Sequence, residues 1–177
     1  MASTPVHGDR PYWLAWSQIP GLGSVLLQRL AERFGTLAEA WTQSLTAVGR
    51  VEGIGPSLME VIRAKRQAID PIVFLSQHLQ NNPQFWTPAD ADYPRLLLES
   101  HSFPPVVYYQ GVVDGAENQG LRPMVAVVGT RSPSEYGRRW TRKLTTILVQ
   151  QGFTIVSGLA EGIDIDCFAD WKILRKN

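Results

Sequence analysis

From Met124 onward the chain reads strand, loop, helix, strand, loop, and no other pattern in it restricts the fold so strongly. Met124–Val128 is a continuous apolar run, as expected of a parallel strand buried on both faces. Ser134–Gln151 has helical spacing, with Trp140, Leu144, Ile147 and Leu148 available to face a sheet. Phe153–Val156 supplies a second strand. A strand–helix–strand unit of this length folds as a right-handed crossover between parallel strands, so both strand C-termini open on one edge. The loops Gly129–Pro133 and Ser157–Asp164 then lie side by side where open α/β sheets bind their ligands. Residues 124–177 therefore read as a Rossmann-like parallel-sheet domain, incomplete because two strands alone precede the end at Asn177.

Upstream, residues 1–81 form a different kind of module. The segment Ser24–Phe34 places Leu26, Leu27, Leu30 and Phe34 on one helix face. Thr36–Glu39 and Ser57–Glu60 both have the S/T-x-x-E form of a capping box, in which each side chain satisfies an orphan N–H of the first turn. Asp70-Pro71 adds an N-cap followed by proline at the first helical position. About five short helices over 12–81 make a small helix-hairpin-helix or SAM-like module. Residues 82–123 change character: prolines at 83, 88, 94, 104, 105 and 123 break any helix. Between them Phe85-Trp86 and Val106–Tyr109 are short β-prone runs, the latter a candidate extra strand for the sheet. This segment is expected to be a connector. No solenoid-type repeat and no low-complexity tract occurs.

Composition narrows the function. With 17 Lys+Arg against 16 Asp+Glu, whole-chain charge says nothing about a polyanionic partner, and local clustering has to carry that argument. A single cysteine, Cys167, excludes an internal disulfide framework and fits a reducing compartment. His7, His78 and His101 have no Cys or second His at ligand spacing, so no metal site is expected, and no cofactor is implied. Residues Met1–Arg10 lack the apolar region of a signal peptide, and no run approaches membrane-spanning length. The expectation is a cytoplasmic protein.

Three features carry chemistry. The turns Ile19–Gly23 and Val51–Pro56 each hold a Gly-x-Gly that opens a following helix, where bare N–H groups either hold a phosphate or simply connect packed helices. Glu52 in one turn, and no cation within either, favour the connecting role. The loop Gly129-Thr130-Arg131-Ser132-Pro133 offers close backbone approach at Gly129, a hydroxyl at Thr130 and a bidentate guanidinium at Arg131. Residues 131–143 contain Arg131, Arg138, Arg139, Arg142 and Lys143 against Glu135, net +4 in a chain whose remainder is −3. Arg131 and then Arg138 are the candidates for binding, and the others read as surface. The loop Ser157–Asp164 completes an anion cradle with Ser157 and Gly158, but lacks the Gly-x-Gly-x-x-Gly dinucleotide fingerprint. Asp164 and Asp166 would repel a phosphate and are expected to cap the next helix. No nucleophile–base pair appears, so the chain does not read as an enzyme.

Together these pieces resemble the DNA-processing protein A (DprA/Smf) family. The resemblance rests on Val125–Arg131, Tyr136-Gly137 and Ser157–Asp164, and extends back through Asp92–Leu97 and Pro104–Gly111. It implies a helical N-terminal module, a Rossmann-like domain, and binding of single-stranded DNA in natural transformation and recombination. It further implies loading of the RecA recombinase, self-association, and phosphate-backbone contacts by Gly129, Thr130, Arg131, Ser157 and Gly158. The chain departs from the family after Asp164: Phe168 stands where a histidine is expected, and further strand–helix units do not follow. The regions for self-association and RecA contact map to the absent part, and a shortened product is the simplest account. Two other readings compete. One is a Rossmann-like enzyme acting on a nucleotide or nucleoside phosphate. The other is an interaction module built on the helices. An unfinished sheet also predicts a firm helical module attached to a labile or self-associating C-terminal half.

Overall fold

A computed structural model describes residues 8–169, so His7 and the tail from Asp170 to Asn177 lie outside the described residues. The chain divides into two compact units, one running to Gln119 and one starting at Gly120.

The first unit begins with helices α1 (Arg10–Ser17), α2 (Ser24–Phe34), α3 (Leu37–Thr42), α4 (Leu45–Val48), α5 (Pro56–Ala68) and α6 (Pro71–Asn81). Their apolar faces close on Trp16, Leu27, Leu30, Leu37, Val48 and Ile62, all fully buried. Trp16 is also satisfied as a donor, its Nε1–H reaching Leu37 O at 3.0 Å. Helix starts follow from capping chemistry. Thr36 accepts from the N–H of Glu39, and Asp70 accepts from Ile72 and Val73. Asp9 reaches across to accept from Leu37 and Ala38 at the same end of α3, and burial raises its carboxyl pKa. The expected Ser57–Glu60 box does not form. Proline at position 56 has no N–H to satisfy and a preset φ, so α5 starts there with Gly55 as N-cap and Ser57 falls inside the helix.

The two Gly-x-Gly turns pack reciprocally. Gly53 has φ +93, and a Cβ there would meet Leu26 Cδ2 at 2.8 Å; Gly21 has φ +84 and sits against Leu58. Leu26 follows Gly21 by the same interval as Leu58 follows Gly53, so each turn lies on the helix that the other turn opens. The buried pairs Ile19 and Val51, Leu22 and Ile54, and Leu30 and Ile62 keep that register. Gly55, by contrast, is extended at φ −88 with open space where a Cβ would go.

Residues 82–119 belong to this first unit rather than to a separate connector. The strands β1 (Phe85–Trp86) and β2 (Val107–Tyr108) pair antiparallel, with short helices α7 (Arg95–Leu98) between them and α8 (Gly115–Asn118) after them. Val106–Tyr109 is thus taken by β1 and does not extend the parallel sheet. Arg10 fastens the segment to α1: it donates to Phe85 O, pairs with Asp90 at 3.3 Å and lies over the Phe85 ring. Ala89 and Phe103 join the helical core, and Tyr93 donates to Pro104 O while burial lifts its pKa to about 12.

The second unit contains β3 (Met124–Ala126), α9 (Glu135–Gln150), β4 (Thr154–Val156) and α10 (Ile163–Asp166). β3 and β4 are parallel, with Met124 opposite Thr154 and Ala126 opposite Val156. This is the Rossmann-like crossover. Its strands are shorter than the apolar runs that announce them, and Val128 is 76% exposed. No helix among the described residues is long and apolar enough to cross a membrane.

Two outcomes follow. Gly53→Ala should cost about 1–3 kcal/mol in denaturant unfolding, because it combines positive φ with a close approach, whereas Gly55→Ala should be near neutral. Limited thermolysin digestion should cut first before the exposed Leu121 and leave a resistant fragment ending near 119 rather than near 81.

Candidate nucleic-acid interface

The crossover sets the loops after β3 and β4 side by side, as the spacing requires. Their junction is built from backbone and carboxylate contacts. The N–H of Gly129 donates to Asp164 Oδ1 at 3.1 Å, and the N–H of Ile163 donates to Thr130 O at 3.2 Å. Gly162 has φ +96, and any Cβ there would strike Thr130 O and the Arg131 backbone, so only glycine allows the loops to approach this closely. Gly129 is required for a related reason: a Cβ would lie 2.7 Å from the Ile163 side chain. The space at Gly129 is thus filled by the neighbouring loop, and its N–H is committed to a carboxylate.

The other sequence-predicted residues divide between those that hold the site and those that face outward. Ser157 donates its hydroxyl to Val127 O at 2.7 Å and so anchors its loop to the strand below. Thr130 is exposed, and its oxygen accepts from Ser132 N–H within the turn. Gly158 is exposed beside Asp164. Arg131 is exposed and forms no ion pair among the described residues, so it is the cation this edge offers to an incoming anion. Arg138 is not free in this way. Its Nη1 donates to Asp166 Oδ2 at 2.8 Å, and its Nε lies 3.7 Å from Glu135.

Asp164 and Asp166 are not helix caps: the N-cap of α10 is Gly162, with no side-chain cap. Both carboxylates are buried and work structurally. Asp166, with a side chain 4% exposed, accepts from Arg138 and from Arg142 Nη2, each at 2.8 Å, and so ties α10 to α9. Two arginines one turn apart on a helix, followed downstream by an apolar-flanked aspartate, were the available signal. Leu159 is a second feature that residue types alone do not announce. It sits exposed at φ 55 in the loop after β4, a conformation costly for a bulky side chain and commonest where a site fixes its backbone. Cys167 donates to Asp164 O, and burial pushes its thiol pKa up, away from nucleophilic thiolate.

The sheet-facing side of α9 differs from expectation. Thr145 is buried and Leu148 half-buried, while Trp140, Leu144 and Ile147 are 50, 53 and 45% exposed. The clamp from Asp166 to Arg138 and Arg142 fixes the roll of α9, and that roll presents the threonine stripe inward.

Comparison with known proteins agrees with this architecture. Residues 84–174, half of the chain, match the family model for DNA recombination-mediator protein A. Protein Smf of Synechocystis sp. is 54% identical over 171 residues, covering 97% of this chain and 42% of the relative. DNA processing protein DprA of Bacillus subtilis is 31% identical over 115 residues, 64% of this chain and 33% of its own length. The crystal structure of DNA processing protein A (DprA) from Streptococcus pneumoniae superposes with a TM-score of 0.67 at 25% identity, covering 97% of this chain and 55% of that one. The chain therefore spans about half or less of the length of the relatives it matches.

Removing the clamp should loosen α10 from α9. Asp166→Asn is expected to destabilise the second unit by about 1–3 kcal/mol, since the buried acceptor shared by two part-exposed guanidinium groups loses its charge. Hydrogen exchange should locate the loss in α9 and α10 and leave α1–α6 unchanged.

Proposed function

Because the chain belongs to the DNA recombination-mediator protein A family, we propose that it binds single-stranded DNA through the paired loops at the C-terminal edge of β3 and β4. The observation that carries this reading is Arg131: an exposed guanidinium with no ion pair among the described residues, held at that edge by a turn stitched to the neighbouring loop. In this reading the Arg131 fork and the Thr130 hydroxyl meet phosphate oxygens, and exposed Gly158 lets the strand approach the backbone. Gly129, Ser157 and Arg138 hold the site: the first two fix the loops, and Arg138 fixes α9 beneath them. Such a site recognises the sugar–phosphate chain and not base edges, so binding is tolerant of sequence and sensitive to salt. It performs no chemistry on its ligand. A RecA-type recombinase is the partner that this reading implies for the resulting nucleoprotein.

Fluorescence anisotropy with a labelled oligo-dT strand tests the proposal. Arg131→Ala should weaken binding for every sequence alike and make the log K against log salt slope shallower by about 0.7, the value for one single-strand phosphate contact. Excess ATP should compete poorly. Equal affinity and slope in mutant and parent would remove Arg131 from the site, and strong competition by ATP would favour a nucleotide-processing enzyme instead.

A further inference from the structure

The solvent side of α9 carries a ridge that the loop site does not use. Tyr136, Trp140, Leu144 and Ile147 recur three and four residues apart, opposite the inward stripe that contains Thr141 and Thr145. They are 63, 50, 53 and 45% exposed. Single apolar side chains on a surface call for no explanation, but four in line on the outer face of one helix mark a contact surface. Arg139 and Lys143, one turn apart, run along its flank. Lys143 Nζ lies 5.1 Å from the centre of the Trp140 ring, and the Tyr136 and Trp140 rings are 6.0 Å apart, inclined at 59°. Arg139, Arg142 and Lys143 together border a shallow groove of about 390 Å³ along the helix.

Charge and position both identify the occupant. The sole acid on this stretch of α9 is Glu135, which faces Arg138, so the ridge and its border present cations to solvent. Tyr136 lies in the first turn of α9, directly after the Arg131 loop, so the ridge continues the edge where phosphate contacts are proposed. Aromatic faces interleaved with cations suit an unpaired strand, because bases stack on the rings while the cations follow the backbone. We propose that Tyr136 and Trp140 form a base-stacking platform for single-stranded DNA, with Arg139 and Lys143 on its phosphates, carrying the strand from the Arg131 loop onto α9. The proposal rests on the reading of that loop as the DNA site.

The test uses the full chain, oligo-dT and a duplex of equal length. Trp140→Ala should weaken oligo-dT binding about five- to a hundredfold with an unchanged salt slope, and Trp140→Phe should keep most of the affinity. Arg139→Gln and Lys143→Gln should each make the slope shallower by about 0.7. Duplex binding should not respond to Trp140→Ala, because paired bases are already stacked on one another. Parental oligo-dT affinity in Trp140→Ala, alongside a weakened Arg131→Ala, overturns the platform and leaves the loop site standing. Equal loss on strand and duplex overturns stacking. Self-association in sedimentation that Trp140→Ala abolishes, with oligo-dT affinity untouched, assigns the ridge to a second copy of the chain and overturns the proposal.

Discussion

The second unit turns on one buried carboxylate. Asp166 sits between Arg138 and Arg142, and those two contacts bind α10 to α9 while setting the rotation of α9 about its own axis. What α9 exposes depends on that rotation. With residues 138 and 142 held toward α10, Thr145 turns inward and the Tyr136–Ile147 line points to solvent. A buried ion pair is seldom a large net source of stability, because desolvation offsets much of the attraction. Its contribution here is orientation: a helix packed by small side chains against a two-stranded sheet has little apolar relief to select one roll angle, and the paired guanidinium forks do.

The two units are stabilised by different means. The first has a conventional apolar core, with Trp16, three leucines of α2 and α3, Val48 and Ile62 fully excluded from water. In the second, the buried side chains among the described residues are Thr145, Asp164, Asp166 and Cys167. Its loops are joined by a Gly129 N–H to Asp164, by Ile163 N–H to Thr130 O, and by Ser157 to Val127 O. Directional bonds of this kind are worth roughly 1 kcal/mol each net, far less than burial of a large apolar side chain, but they fix geometry closely. Precision of this kind, more than apolar bulk, holds the two loops against each other.

The elements whose signals are local were legible in the sequence. Apolar periodicity marked the helices, Thr36 and Asp70 marked two helix starts, and the run 124–128 with the run 153–156 marked the parallel pair and hence the adjacency of the two loops. Features set by long-range pairing were not legible. Periodicity shows that α9 has an apolar line but not which line meets the sheet, and it was Asp166, downstream in a different element, that decided this. Arg138 looked like a second free cation because its partner lies 28 residues away. Gly129 reads as room for a ligand for the same reason, although Ile163 fills the space that the glycine leaves. The segment 82–123 reads as a connector because its prolines exclude any long helix, yet it forms the short helices α7 and α8, and Arg10, Ala89 and Phe103 fasten residues up to 119 into the first unit.

A site of this construction has a consequence for how binding and folding are linked. Five cations lie within residues 131–143, two of them sharing the single charge of Asp166, and the excess positive charge raises the local potential around a unit whose described residues bury little apolar side chain. On the proposed reading, a polyanion bound there would offset the positive potential that Arg131, Arg139 and Lys143 give the folded unit. Whatever binds the native state alone stabilises it in proportion to its concentration over its dissociation constant. On the proposed reading, a strand that occupied this edge would therefore stabilise the second unit in proportion to its occupancy.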